Sequence, residues 1–322
     1  MSRLRLGILG CARIVRRDFA GAAAEAPSVE LAGLASRNVE KAAAWAKEYG
    51  ISKHFGSYEA LLADPDIDAV YLPLPNEMHR TWALRAAECG KHVLCEKPLG
   101  LDYADAKIIA DGCREQGVML MEAFMWRHHP RVALAKKIIT AGDIGELRLV
   151  KMDFSFPIDD GDWRLDPQRG GGALYDLGCY AINAARLFTG NEPLEAHAAA
   201  RMQHGVDMTV GATVQFPDDT AAVFDCSFEC PERNRLEIVG THGVLELPGG
   251  VLPSENAELV VFNRQAERKT ITPEPANQYA GEMEAFAAAV RTGTLPAPAE
   301  DGLLNMKALE MVHQAAHAKV SV

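Results

Sequence analysis

Three residues that handle protons stand where they could act as a set. Lys97 closes the apolar run Val93-Leu94-Cys95-Glu96-Lys97-Pro98. Asp176 and Tyr180 follow the glycines Gly170-Gly171-Gly172 and lie four residues apart, so a helix presents both on one face. A carbinol that loses hydride must also give up a proton to a base. Free tyrosine has a pKa of about 10, so roughly one molecule in a thousand is ionised at neutral pH. A nearby lysine cation favours the phenolate and lowers that pKa, which poises a tyrosine for acid/base work. Lys97, Asp176 and Tyr180 are therefore the candidate catalytic residues, with Asp176 either orienting Lys97 or holding a substrate hydroxyl.

Such a set must be positioned by a scaffold, and the pattern of the chain describes one. Through the first 120 or so residues, short apolar runs at 4–9, 29–35, 69–72, 93–95 and 118–121 suit strands buried on both faces. Helical stretches at 39–49, 77–88 and 103–116 alternate with them. This is the grammar of an α/β Rossmann domain with a doubly wound parallel sheet. After about residue 145 the stretches 146–156, 208–216 and 221–228 alternate apolar with polar residues, with a turn at 217–220 and weaker strands at 195–202 and 236–239. They predict an α+β second domain built on a large, mostly antiparallel open sheet, with helices at 173–188, 281–291 and 303–319. The expected division is 1–123 for cofactor binding and 124–322 for substrate binding and oligomerisation, with loops at 253–256 and 273–278.

Composition narrows the function classes. The 322 residues carry a net charge of -11, which disfavours nucleic-acid and anionic-membrane partners because both need a basic surface. No stretch approaches the roughly 20 apolar residues of a membrane span, and the N-terminus does not read as a signal peptide. The seven cysteines form no CxxC pair, so buried thiols in a reducing cytoplasm are expected and a cysteine-built metal site is not. His128-His129 lacks a further ligand at metal spacing, and no metal is expected.

The nucleotide site is read from small residues and charge. Gly10-Cys11-Ala12-Arg13-Ile14-Val15 follows the first strand and keeps only part of the glycine pattern that lets backbone N–H groups touch a pyrophosphate. The second strand ends in Ala35-Ser36-Arg37-Asn38, with no acid for a ribose 2′-hydroxyl. A hydroxyl and a guanidinium suit a 2′-phosphate, so NADP is the expected cofactor and NAD the other possibility. Ser36 or Asn38 capping the next helix is the competing explanation. Asn76 reads as a cap for a helix opening at Glu77, and His79 either faces the ribose or lies on the surface.

The residues Gly7-Ile8-Leu9-Gly10-Cys11-Ala12, Pro75-Asn76-Glu77-Met78-His79, Glu96-Lys97-Pro98 and Gly171-Gly172 leading to Asp176 and Tyr180 together resemble the Gfo/Idh/MocA oxidoreductases over essentially the whole chain. Many members of that family use Asp-x-x-x-His, and this chain has Tyr180 instead. It is similar to the branch of D-xylose dehydrogenases and dimeric dihydrodiol dehydrogenases, which shares Glu122-Ala123-Phe124-Met125-Trp126-Arg127 and Asp162-Trp163-Arg164. The resemblance implies an oxidoreductase acting on the carbinol or lactol carbon of a sugar or cyclic diol. It implies cofactor contacts from Gly10, Ala12, Arg13, Ile14, Ser36 and Arg37. Further contacts come from Leu72, Pro73, Asn76, His79, Glu96 and Lys97, with Trp163 and Arg164 beside them. Substrate contacts are expected from Trp126, Arg127, Phe156, Trp163, Asp176 and Tyr180, with interface packing the alternative for the tryptophans and arginines. A catalytically silent NADP-binding sensor or repressor of the same fold is the other functional class. Val210, Ala212, Val214, Val223, Cys226 and Phe228 form an apolar set expected to need cover, from the chain's own helices or from a second copy in a homodimer or dimer of dimers.

Overall fold

The computed structural model describes residues 2–253, 257–294 and 299–318. Its contacts divide the chain into two units, Met1–His128 with Ala276–Leu303, and His129–Pro275 with Leu304–Val322.

In the first unit six strands, β1 (Leu4–Leu9), β2 (Val29–Ala35), β3 (Lys53–Phe55), β4 (Ala69–Leu72), β5 (His92–Glu96) and β6 (Leu120–Ala123), pair in the order β3-β2-β1-β4-β5-β6. Every pairing is parallel. All four residues of β4 are buried, as expected where helices cover both faces. The crossover helices Val39–Glu48 and Tyr103–Glu115 begin at Asn38 and Asp102, whose side chains accept from the N–H of Lys41 and Asp105. Strand order reverses between β1 and β4, so the carboxyl ends of these strands frame the crevice where α/β folds bind ligands. The three-residue β3, too short to show periodicity, was not anticipated. The helix Gln278–Thr292 joins this unit from far along the chain: Glu284 Oε1 accepts from the Ser28 N–H at 2.7 Å.

The second unit is built on β7 (Leu147–Ser155), β8 (Glu195–Gln203), β9 (Val206–Gln215), β10 (Ala221–Ser227), β11 (Arg233–Gly240), β12 (Gly243–Pro248), β13 (Leu259–Asn263) and β14 (Arg268–Ile271). They pair as β14-β13-β12-β11-β7-β10-β9-β8, antiparallel throughout except for β7 beside β10. The β9–β10 turn holds Asp218 and Asp219 at φ 59 and 54, the backbone sign that a tight hairpin requires. Strands β12 to β14 were not foreseen: Arg268-Lys269-Thr270-Ile271 has almost no apolar content, whereas β12 and β13 carry apolar residues that were overlooked. The helix Pro130–Thr140 was missed because a histidine starts it: His129 accepts from the Arg131 N–H, with proline next. Of the expected loops, 254–256 lie outside the described residues. The other narrows to 273–277, since Gln278 opens a helix capped by Asn277. The expected end of the last helix at Lys319 also lies outside the described residues.

The apolar set on β9 and β10 requires a correction. Val210, Ala212, Val214, Cys226 and Phe228 are all buried by this chain, the strand face beneath the segment that carries Tyr180. Only Val223, 38% exposed, points to the other face. Strand alternation decides this, because residues 222, 224 and 226 share one side and 223 takes the opposite one. The uncovered face is polar: Lys151 pairs with Glu237 at 3.1 Å and Arg235 with Asp153 at 2.7 Å.

Candidate active site

At the carboxyl edge of the first sheet, β1 runs into Gly10, whose N–H donates to the Ala35 carbonyl at 2.9 Å. Gly10 has φ +113, and a Cβ there would meet Leu74 Cδ2 at 3.0 Å, so this turn needs glycine. Helical winding starts at once, with Val15 N–H donating to Ala12 O at 3.1 Å. The N–H groups of Arg13 and Ile14 thus open a helix, which suits a pyrophosphate. At the end of β2, Ser36 is buried and its hydroxyl accepts from the Asn38 N–H at 3.2 Å. Asn38, not Ser36, caps the helix. Arg37 is exposed. A second cation, Lys41, was overlooked: its Nζ donates to the Cys11 carbonyl at 3.2 Å and lies 5.0 Å from the Trp45 ring centre. The available signal was its place in the first turn after Ser36. Burial pushes the Cys11 thiol up while Ser36 and Lys41 pull it down. Two cations therefore flank a β2 end that carries no acid, an arrangement that fits a 2′-phosphate.

Leu72 and Pro73 are buried where β4 ends. Asn76 is the first residue of a 3-10 turn whose cap is Pro75, so it does not occupy the capping position expected of it. His79 is fully buried rather than on the surface. Its Nε2 lies 2.8 Å from Leu74 O and its Nδ1 3.1 Å from Pro98 O, tying the loop after β4 to the cis Lys97–Pro98 peptide. Burial lowers its pKa, against those carbonyls. Glu96 ends β5 with its carboxylate fixed on both sides: Tyr71 Oη donates to Oε1 at 2.5 Å and Lys97 N–H to Oε2 at 3.2 Å. Tyr71 is itself buried and stacked on Phe19 at 3.8 Å. Burial and Glu96 push its phenol well above the usual range, so it remains a donor. Lys97 thus leaves the strand from a rigid base. Trp126 is 1% exposed, and Arg127 pairs with Asp301.

In the second unit Asp176 lies in the widened π-turn Leu174–Gly178 and Tyr180 opens the helix Cys179–Thr189. Such turns recur at functional sites, and sequence periodicity does not announce them. Arg164 Nε donates to Asp176 Oδ2 at 2.7 Å, and its Nη1 to Asp162 Oδ1 at 3.2 Å. Burial alone would lower the Arg164 pKa, but Asp176 and Asp162 outweigh it and raise it. The guanidinium also sits 4.8 Å from the Trp163 ring centre. Tyr180, 6% exposed, meets Phe154 edge-on at 5.7 Å, and Phe154 in turn meets Phe156 at 5.8 Å. Within this unit Trp163, Arg164 and Asp176 form one contact group, and Phe156, Phe154 and Tyr180 form another. Gly178 permits the close approach, since a Cβ there would fall 3.3 Å from Cys226 Sγ and 2.7 Å from Leu174 Cδ1.

Residues 4–124 match the profile of an oxidoreductase family with an NAD-binding Rossmann fold, Gfo/Idh/MocA, and residues 132–246 match a Gfo/Idh/MocA C-terminal domain. The chain belongs to the Gfo/Idh/MocA family. Among its relatives, a D-xylose 1-dehydrogenase (NADP(+)) of Haloferax volcanii is 38% identical over 99% of each chain. A trans-1,2-dihydrobenzene-1,2-diol dehydrogenase of Mus musculus is 32% identical over 84% of this chain and 80% of its own. A crystal structure of a 3-ketoreductase from Actinomadura kijaniata, in complex with NADP and TDP-benzene, superposes with a TM-score of 0.90 at 33% identity, covering 98% of each chain. Family membership and the two-sheet architecture agree with the resemblance seen in the sequence. Among the described residues no helix is long and apolar enough to cross a membrane.

Proposed function

We propose that the protein is an NADP-dependent dehydrogenase that moves a hydride between the nicotinamide and a carbinol or lactol carbon of a sugar or cyclic diol. The observation that carries this reading is Tyr180, buried one turn beyond an Asp176 held by Arg164. The nicotinamide, when bound, accepts or delivers the hydride. Tyr180 exchanges the proton with the substrate oxygen, and the Lys97 cation favours its phenolate. Asp176, held in one orientation by Arg164, steers a substrate hydroxyl. The preference for NADP is supported by Ser36, Arg37 and Lys41 at a strand end without an acid. A dehydrogenase for D-xylose and one for a dihydrodiol among the relatives support the two substrate classes.

The test is a panel of aldopentoses, aldohexoses and trans-dihydrodiols offered with NADP while nicotinamide absorbance is followed. Turnover of one class identifies the substrate type. Silence across the panel with NADP bound overturns the reading. If NAD is used at least as efficiently as NADP, the cofactor assignment falls.

We also place the protein in the cytoplasm, a reading supported by seven cysteines that are all free thiols. We further infer a homodimer formed through the uncovered face of the eight-stranded sheet. That face carries a groove of about 1050 Å³ lined by Lys151, Asp153, Val223, Asp225, Arg235 and Glu237. Light scattering checks this: the mass of a single chain at micromolar concentration removes the dimer.

A further inference from the structure

Gly171 and Gly172 carry no phosphate-binding signature, and each instead makes room for a specific neighbour. A Cβ on Gly171 would lie 2.3 Å from the Arg164 carbonyl, and one on Gly172 would lie 2.4 Å from Asp207 Oδ1. Gly172 also has φ +113. Gly172 therefore lets the chain wrap closely around the carboxylate of Asp207, a residue of β9 that is 3% exposed, while Gly171 lets it pass the Arg164 carbonyl. Asp207 Oδ2 accepts from the Leu174 N–H at 2.6 Å, and the backbone of Ala173 and of Asp207 itself also favours its charged form. The Leu174 N–H is an orphan donor at the start of the segment whose next turns carry Asp176 and Tyr180. Nothing in the sequence marks Asp207 as the partner of that group, because it lies more than thirty residues downstream.

We propose that Asp207 is a positioning residue for the reaction: its carboxylate clamps the Leu174 N–H and so sets where the following turns present Asp176 and Tyr180. The proposal rests on the reading of Tyr180 as the acid/base group. The clamp works best when ionised, since a carboxylate offers two acceptor oxygens whereas the acid turns one into a donor. Burial raises this carboxyl to about 6, while the backbone of Leu174, Asp207 and Ala173, and His317 on the helix Ala299–His317, favour the charged form. Another titratable neighbour is Cys226 on β10, whose thiol burial holds well above its usual range, leaving it neutral. Asp207 thus loses its charge as pH falls through about 6, and kcat falls with it.

The test compares Asp207→Asn with wild type. The amide keeps the volume but sets a donor against the Leu174 N–H, so it imitates the protonated clamp. Well above pH 6, kcat should fall about tenfold, the size of losing one charge-assisted hydrogen bond, with KM and NADP affinity little changed. The acidic limb of the wild-type kcat profile near pH 6 should vanish. In hydrogen exchange, the amides of residues 173–176 should open faster in the variant than in wild type above pH 6 and equally below it. Wild-type kcat, an unchanged acidic limb and unchanged exchange in Asp207→Asn overturn the proposal. If wild type turns over no substrate, the dehydrogenase reading fails, and the exchange comparison still decides the clamp. Should Asp207→Asn not fold, exposed His317→Ala replaces it. Removing that nearby charge should move the acidic limb, and the pH at which exchange rises, upward; a limb that stays in place counts against the clamp.

Discussion

The carboxyl edge of the six-stranded sheet and the opening of the Tyr180 helix on the eight-stranded sheet solve the same problem by different means. At the first, the proposed binding groups are backbone N–H groups and exposed cations: the turn at Gly10, then Arg37 just before the Asn38 cap and Lys41 on the helix it opens. Backbone carbonyls support them, Ala35 for Gly10 and Cys11 for Lys41. At the second, the proposed chemical groups are buried and charged side chains hold their segment, Arg164 on Asp176 and Asp207 on Leu174. A cofactor's phosphates bring their own charge and need only a receptive surface, whereas acid/base groups must be held at defined geometry and with shifted pKa. The first edge should therefore respond to substitution through affinity, and the second through turnover and stability.

The largest effect is expected at Tyr180. Removing its hydroxyl in Tyr180→Phe should lower kcat by about 10²–10⁴-fold, the usual contribution of a general acid/base, with cofactor affinity unchanged in a fluorescence titration. Lys97→Ala should act in the same direction and move upward the limb of the pH–rate profile that Tyr180 sets, because the phenolate loses its cation. A Tyr180→Phe enzyme with near-normal turnover assigns the proton to another group and erases the contrast between the edges.

Asp207 sharpens the contrast through stability. Its carboxyl is raised from 3.8 to about 6 by burial, so between these values the folded chain keeps a proton that the unfolded chain has released. The stability it contributes is complete below the unfolded pKa and is lost as pH rises through the folded one, a change of roughly 2–3 kcal/mol. Chemical denaturation of Asp207→Asn across this window should lack that decline. A decline identical in wild type and variant refutes the assignment. Near neutral pH the charged clamp therefore works against stability, a familiar cost of a functional site.

Gly172→Ala should cost about 2–3 kcal/mol, since it places a side chain at positive φ and against the Asp207 carboxylate. Thermal unfolding measures it, and an unchanged midpoint shows that the turn has room to relax. The smallest effect is expected at the first edge. Arg37→Asp should weaken NADP binding by about 1.5–3 kcal/mol and shift preference toward NAD, while leaving the unfolding midpoint in place. A drop in stability there makes Arg37 a structural residue and breaks the distinction between the edges.

The sequence alone determined the parallel strands β1, β2 and β4 to the residue, because fully buried strands read as short apolar runs bounded by turn residues. It also determined the open second sheet in outline, the small-residue turn at Gly10 and the acid-free end of β2. The likeness of Glu96-Lys97-Pro98 and Asp176-x-x-x-Tyr180 to the Gfo/Idh/MocA pattern lay in local strings as well. Tertiary structure decided what couples distant positions. It covered Val210, Val214 and Cys226 with the chain's own helices and gave the helix Gln278–Thr292 to the first unit. It also placed Tyr71 on Glu96, Arg164 on Asp176 and Asp207 beneath Gly172. A periodicity reports which face of an element is apolar, but a carboxylate's partner is whichever donor the fold brings within about 3 Å, and that distance has no signature along the chain.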